Sequence, residues 1–198
     1  YTIHLPEHTL IDSLIKKSKN GSFGNEDFPS IYQFLESEIY QEEDYQSALN
    51  KVQEQKEQIH SILLKIEQSK STWDWDFKLL KHYEVIFTLY GSGGSYDPQT
   101  GLITLFTTKE GKFKKYQNPA NTIIHEIVHI GMEHSLVQKY NLAHGLKERI
   151  VDTFVFLMFG ELLPEYTIQN MGDPGIDEHL RNKEDLKALN TILEKHMK

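Results

Sequence analysis

The chain of 198 residues contains no cysteine. That absence excludes a disulfide framework, thiol catalysis and every metal site built on thiolate. Any metal held here must be bound by His, Asp or Glu. An excess of positive charge is missing too: 21 Lys and Arg stand against 29 Asp and Glu, a formal net charge of −8. Nucleic-acid binding rests on neutralising phosphates with basic side chains, so no nucleic-acid partner is expected. Long apolar runs are lacking. The longest, Phe154 to Phe159, is far short of a membrane span and reads as core. No repeat, low-complexity tract or convincing linker divides the chain. The sequence also lacks an initial Met and begins at Tyr1. A product trimmed of a secretion signal, and hence an exported protein, is the expectation, with a cytoplasmic location left open.

What is present is globular in composition, with 38% hydrophobic and 25% charged residues. Residues 1–20 open on a short alternating stretch and pass into a helical pattern around Leu10, Leu14 and Ile15. From Pro29 to about Lys70 the spacing predicts helices, one carrying Ile31, Phe34, Leu35 and Ile39, another Leu49, Val52, Ile59, Ile62, Leu63 and Ile66. The period then changes. Tyr83–Tyr90 and Leu102–Thr108 are rich in β-branched and aromatic residues and read as two strands pairing as an antiparallel hairpin around a glycine-rich loop, residues 91–101. That loop lacks the lysine and helix start of a phosphate-binding loop. Asn118 and Pro119 supply an N-cap and a first-turn proline for a helix running to about His134. Another helix is expected from Asn141 or His144 to Phe159, ended by Gly160 and Pro164, and a last one over about Lys183–Lys195. The segment Trp73-Asp74-Trp75-Asp76 reads as a packing and capping element.

The chemistry is concentrated in His125-Glu126-Ile127-Val128-His129. Two histidines four apart on a helix share a face, so both imidazoles reach one ion about 2.0–2.1 Å from each nitrogen. Glu126, one position round the helix, is placed to accept a proton from metal-bound water. A catalytic zinc needs a third protein ligand. Glu148 follows His129 with 18 residues between them, and Asp152 follows Glu148 by four on the same helical face. Their neighbours Ile150, Val151, Phe154 and Val155 are apolar. Two unpaired carboxylates there would be costly, and a dication with its histidines removes that cost.

These residues together resemble the gluzincin zinc metallopeptidases, the thermolysin-like group. The resemblance covers about Tyr83 to Phe159. It implies Zn²⁺ held by His125, His129 and Glu148, with Glu126 as general base and Asp152 orienting His125. It implies an α+β fold, a mostly helical zincin-like domain with a small antiparallel sheet or hairpin before the metal-binding helix. The whole of 1–198 would form one domain, with a helical N-terminal part (1–75) and a catalytic part (76–198). An edge strand, matched by Leu102–Thr108, would pair with extended peptide or protein substrate. The group stabilises the oxyanion with a downstream Tyr or His, and Tyr166 and His179 are the candidates. The aminopeptidase signature is absent, so an endopeptidase is expected. A metzincin would need a third His six residues after the second, where Ser135 stands. His144 reads as a helix-start residue. Two other readings stay open: a non-catalytic zinc-binding module with a closed site, and an interaction protein using Pro29–Lys70.

Overall fold

A computed structural model describes residues 3–91 and 93–197. Tyr1, Thr2, Ser92 and Lys198 lie outside the described residues, and with them the start of the alternating stretch and one position of the glycine-rich loop. The protein is mostly helical with one small mixed sheet, an α+β fold. Four helices come first: α1 (Thr9–Lys19), α2 (Phe28–Phe34), α3 (Glu43–Glu54) and α4 (Lys56–Ser69). The long helix expected across Leu49–Ile66 is interrupted at Gln55, at φ −93° and ψ 0°, which ends α3 and starts α4. Three strands follow, β1 (Glu84–Thr88), β2 (Ser95–Tyr96) and β3 (Leu102–Phe106). Then come α5 (Ala120–Met132), extended by a wider π-type turn over Glu133–Gln138, α6 (His144–Phe159), and the short α7 (Lys183–Lys187) and α8 (Leu189–His196).

The sheet corrects one expectation. The two long strands are not an antiparallel hairpin. β1 pairs with β3 in parallel, Glu84 opposite Leu102 and Thr88 opposite Phe106. The hairpin partner of β3 is β2, with Ser95 opposite Thr104 and Tyr96 opposite Ile103. The strand order is β1-β3-β2. The stretch 91–101 contains two chain reversals rather than one. Gly91, at φ 105°, and Gly101, at φ 79°, adopt backbone that other residues reach only with strain. Two reversals return β3 to the direction of β1. β3 is therefore central, and β2 covers the edge expected to pair with substrate at Ile103 and Thr104. The free edge on the helix side is β2.

α5 is the axis of the core. Asn118 accepts a hydrogen bond from Ala120 N–H at 2.8 Å, as the cap demands. Every residue of the helix except Thr122 and His125 is buried. Each Ile fully withdrawn from water there contributes about 1.5–3 kcal/mol. α4 packs against it through Ile62 and Ile66, the sheet through Ile103 and Leu105, and α6 through Ile150, Val151 and Phe154. Phe77 packs directly against Gly131: a Cβ there would sit 2.2 Å from ring carbons. Trp73, Trp75, Phe77 and Phe154 pack as one aromatic group with centroid separations of 4.9–6.0 Å. Asp74 accepts from the N–H groups of Asn190 and Thr191 at 3.0 and 2.9 Å and so caps α8. The packing and capping expected of this segment are both present. Among the described residues no helix is long and apolar enough to cross a membrane.

Candidate metal centre

α5 and α6 pack side by side and bring His125, His129 and Glu148 together. The helical register does the first half of the work, since His125 and His129 are one turn apart. Nε2 of His125 lies 3.1 Å from Nε2 of His129, and Oε2 of Glu148 lies 3.4 and 3.3 Å from them. A tetrahedral ion with bonds of about 2.0–2.1 Å requires donor–donor edges of about 3.3–3.4 Å. The three donors thus span one face of such a tetrahedron, within a few tenths of an ångström. Nitrogen and carboxylate donors in this geometry suit zinc. Among the described residues, no other group of three His, Asp or Glu side chains converges in this way.

Behind His125 lies a hydrogen-bonded support. Its Nδ1 is 2.6 Å from Tyr166 Oη and 3.3 Å from Asp152 Oδ1. Tyr166 donates to Asp152 Oδ1 at 2.6 Å, and Gln169 N–H donates to Asp152 Oδ2 at 2.7 Å. Asp152 is fully buried. An Nδ1–H donated into this cluster leaves the Nε2 lone pair facing the site. His129 is held differently. Its Nδ1 is buried without a hydrogen-bond partner. Instead the Tyr96 ring lies parallel to the imidazole, 4.9 Å away at 8°. The Tyr96 hydroxyl donates to Glu133 Oε2 at 3.2 Å and accepts from Lys147 Nζ at 3.2 Å.

The charges follow from these neighbours. Burial disfavours a charged His125, but Asp152 and Glu148 outweigh it and push its pKa up to about 9. Burial dominates at His129 and drops it to about 4. Burial would raise Glu148, but hydrogen bonds from both histidines hold it well below the carboxylate range. Burial pushes Glu126 up to about 6.

The donors and Glu126 line a cleft of about 590 Å³. The β2 edge forms one wall, and Gly94 comes so near that a Cβ on it would lie 3.0 Å from Glu126 Oε1. The two expected oxyanion donors are not on the cleft wall. Tyr166 is 3% exposed and its hydroxyl is taken up behind His125. His179 is exposed and stands against His196, 6.3 Å between ring centroids. The turn before it, Pro174–Glu178, is fastened by Arg149 to Asp177. From the sequence, pairing of Glu148 with Lys147 is disfavoured because the two do not share a helical face, yet the structure brings them together. Lys147 Nζ approaches Glu148 Oε1, the oxygen turned away from the histidines, at 3.5 Å. Tyr96 and Gly94 carried no spacing signal at all.

Comparison of the chain with protein-family models, with characterised proteins and with solved structures finds no match.

Proposed function

We propose that this protein is a zinc-dependent peptidase, an endopeptidase rather than an aminopeptidase. The observation that carries the reading is the convergence of His125, His129 and Glu148 at 3.1–3.4 Å on the wall of a cleft that also presents Glu126. A bound zinc would polarise a scissile carbonyl and acidify water beside it. Glu126, with a pKa of about 6, is ionised at neutral pH and basic enough to take the proton of the attacking water. It then delivers that proton to the leaving amine. Peptide lies extended along the β2 edge, where Gly93 and Gly94 let its main chain come near Glu126. Lys147 replaces Tyr166 and His179 as the donor that balances negative charge on the reacting carbonyl. Asp152 and Tyr166 orient His125, and Tyr96 orients His129.

A closed structural site would need a fourth protein donor. Asp152 is engaged behind His125, and His144 is largely exposed with its Nδ1 3.6 Å from Glu148 Oε1. Neither supports that alternative. The test is Glu126→Gln, which keeps the shape and loses the basicity. Elemental analysis should find one zinc per chain in parent and variant, and none after His129→Ala. Hydrolysis of an unbiased peptide library should fall about 10²–10⁴-fold in Glu126→Gln. A chain without zinc, or a variant cleaving at the parental rate, would overturn the proposal.

A further inference from the structure

Glu133 follows His129 by four residues, as His129 follows His125, so the three fall on one face at the end of α5. It is not one of the three converging donors, and it is not on the cleft wall. Its Oε2 accepts from the Tyr96 hydroxyl at 3.2 Å, and its Oε1 accepts from Gln138 Nε2 at 3.3 Å. The Tyr96 hydroxyl in turn accepts from Lys147 Nζ at 3.2 Å. One chain of hydrogen bonds thus runs from α6 through β2 to the end of α5, and its first two members, Lys147 and Tyr96, line the cleft.

The direction of this chain is forced. An ammonium only donates, and a phenol has one proton. With that proton given to Glu133, the oxygen turns its lone pairs to Lys147. The carboxylate also polarises the hydroxyl and makes it a stronger acceptor. The Lys147 side chain is 17% exposed, so its charge is largely withdrawn from water and needs partners. Glu148 Oε1 is one, but both histidines draw on the same carboxylate. Glu133 supplies a second negative charge, one hydroxyl away.

We infer that Glu133 is a positioning residue which, through the Tyr96 hydroxyl, holds the Lys147 ammonium at the cleft. The inference rests on the peptidase reading above, in which Lys147 acts on the reacting carbonyl. Without Glu133 the hydroxyl turns its proton elsewhere, and the ammonium swings toward solvent. The Tyr96 ring has its own role against His129 and keeps it when the hydroxyl is removed.

Two readouts separate position from chemistry. The first is the side-chain ammonium signal of Lys147 in ¹H–¹⁵N NMR of the metal-free full chain, identified by its loss in Lys147→Gln. An ammonium held by fixed acceptors exchanges its protons slowly enough to be seen. The signal should be present in the parent, absent in Tyr96→Phe and Glu133→Ala, and kept in Glu133→Gln, whose carboxamide oxygen still accepts from the hydroxyl. The second readout is hydrolysis by the zinc-loaded chain. Tyr96→Phe and Glu133→Ala should each lower kcat about 10–100-fold with KM little changed and one zinc per chain retained. Glu133→Gln should fall between Glu133→Ala and the parent. The double variant Tyr96→Phe/Glu133→Ala should be no slower than the slower single one, because both changes break the same chain. Losses that multiply in the double variant, or an unaltered Lys147 signal in Glu133→Ala, overturn the inference. A parent that hydrolyses nothing when zinc-loaded, yet loses the Lys147 signal in Tyr96→Phe and Glu133→Ala, would remove the peptidase reading and leave the positioning by Glu133 intact.

Discussion

Replacing Asp152 tests the support behind the metal centre. Its carboxylate is fully buried and does three things at once. Oδ1 accepts from Tyr166 at 2.6 Å and faces His125 Nδ1 at 3.3 Å, while Oδ2 accepts from Gln169 N–H at 2.7 Å. In Asp152→Ala all of these donors lose their acceptor. Each buried donor left unpaired costs about 1–3 kcal/mol, and the three share one cluster, so the costs do not simply add. A loss of about 3–5 kcal/mol of metal-free stability is expected. Asp152→Asn keeps one acceptor and gains an NH₂ group. Turned either way, the amide points a donor at a donor: at Gln169 N–H, or at Tyr166 and His125. It should cost about 1–3 kcal/mol and weaken zinc binding about 10–100-fold, with Ala worse on both counts. Tyr166→Phe breaks the relay and spares the direct Asp152–His125 contact, so it should weaken zinc less than Asp152→Asn. Urea unfolding of the metal-free chain and competition titration against a chelator measure both quantities. If Asp152→Asn matches the parent in stability and in zinc affinity, Asp152 does not support His125 and the reasoning fails.

Zinc binding should release one proton, because metal-free His125 holds a proton up to about pH 9 while His129, at about 4, is already neutral. Apparent affinity then rises about tenfold per pH unit between roughly pH 7 and 9 and levels off above, and calorimetry in buffers of different ionisation enthalpy counts the proton. The same shift has a sign for folding. A pKa raised from 6.5 to about 9 stabilises the metal-free fold fully below about pH 6.5, and that contribution is lost as pH rises through 9. Denaturation midpoints that climb steadily from pH 7 to 9.5 without metal would contradict it. Gly131→Ala should destabilise the fold by about 1–3 kcal/mol despite the better helix propensity of Ala, because the new methyl meets the Phe77 ring at 2.2 Å. Adding Phe77→Leu should recover part of that loss in the same unfolding assay.

The local parts of this protein were legible in the sequence because they depend on residues close together in the chain. The Asn118-Pro119 start, the buried face of α5 and the shared face of His125 and His129 all follow from helical period and capping chemistry. The pairing of Glu148 with Asp152 on one face of α6 follows likewise. The absence of cysteine by itself restricts any metal site to His and carboxylate donors. What crosses the chain needed the tertiary structure. Strand period does not reveal which neighbour a strand takes, so the parallel β1–β3 pair and the β2 edge emerged only with the two reversals at Gly91 and Gly101. Tyr166 and Tyr96 have the same hydroxyl and equally apolar bodies. One is carried behind His125 by the turn after α6, the other onto His129 by the sheet edge. Which face of an imidazole a ring meets is decided by how separate elements pack, and contacts 33 to 41 residues apart leave no period in the sequence to read.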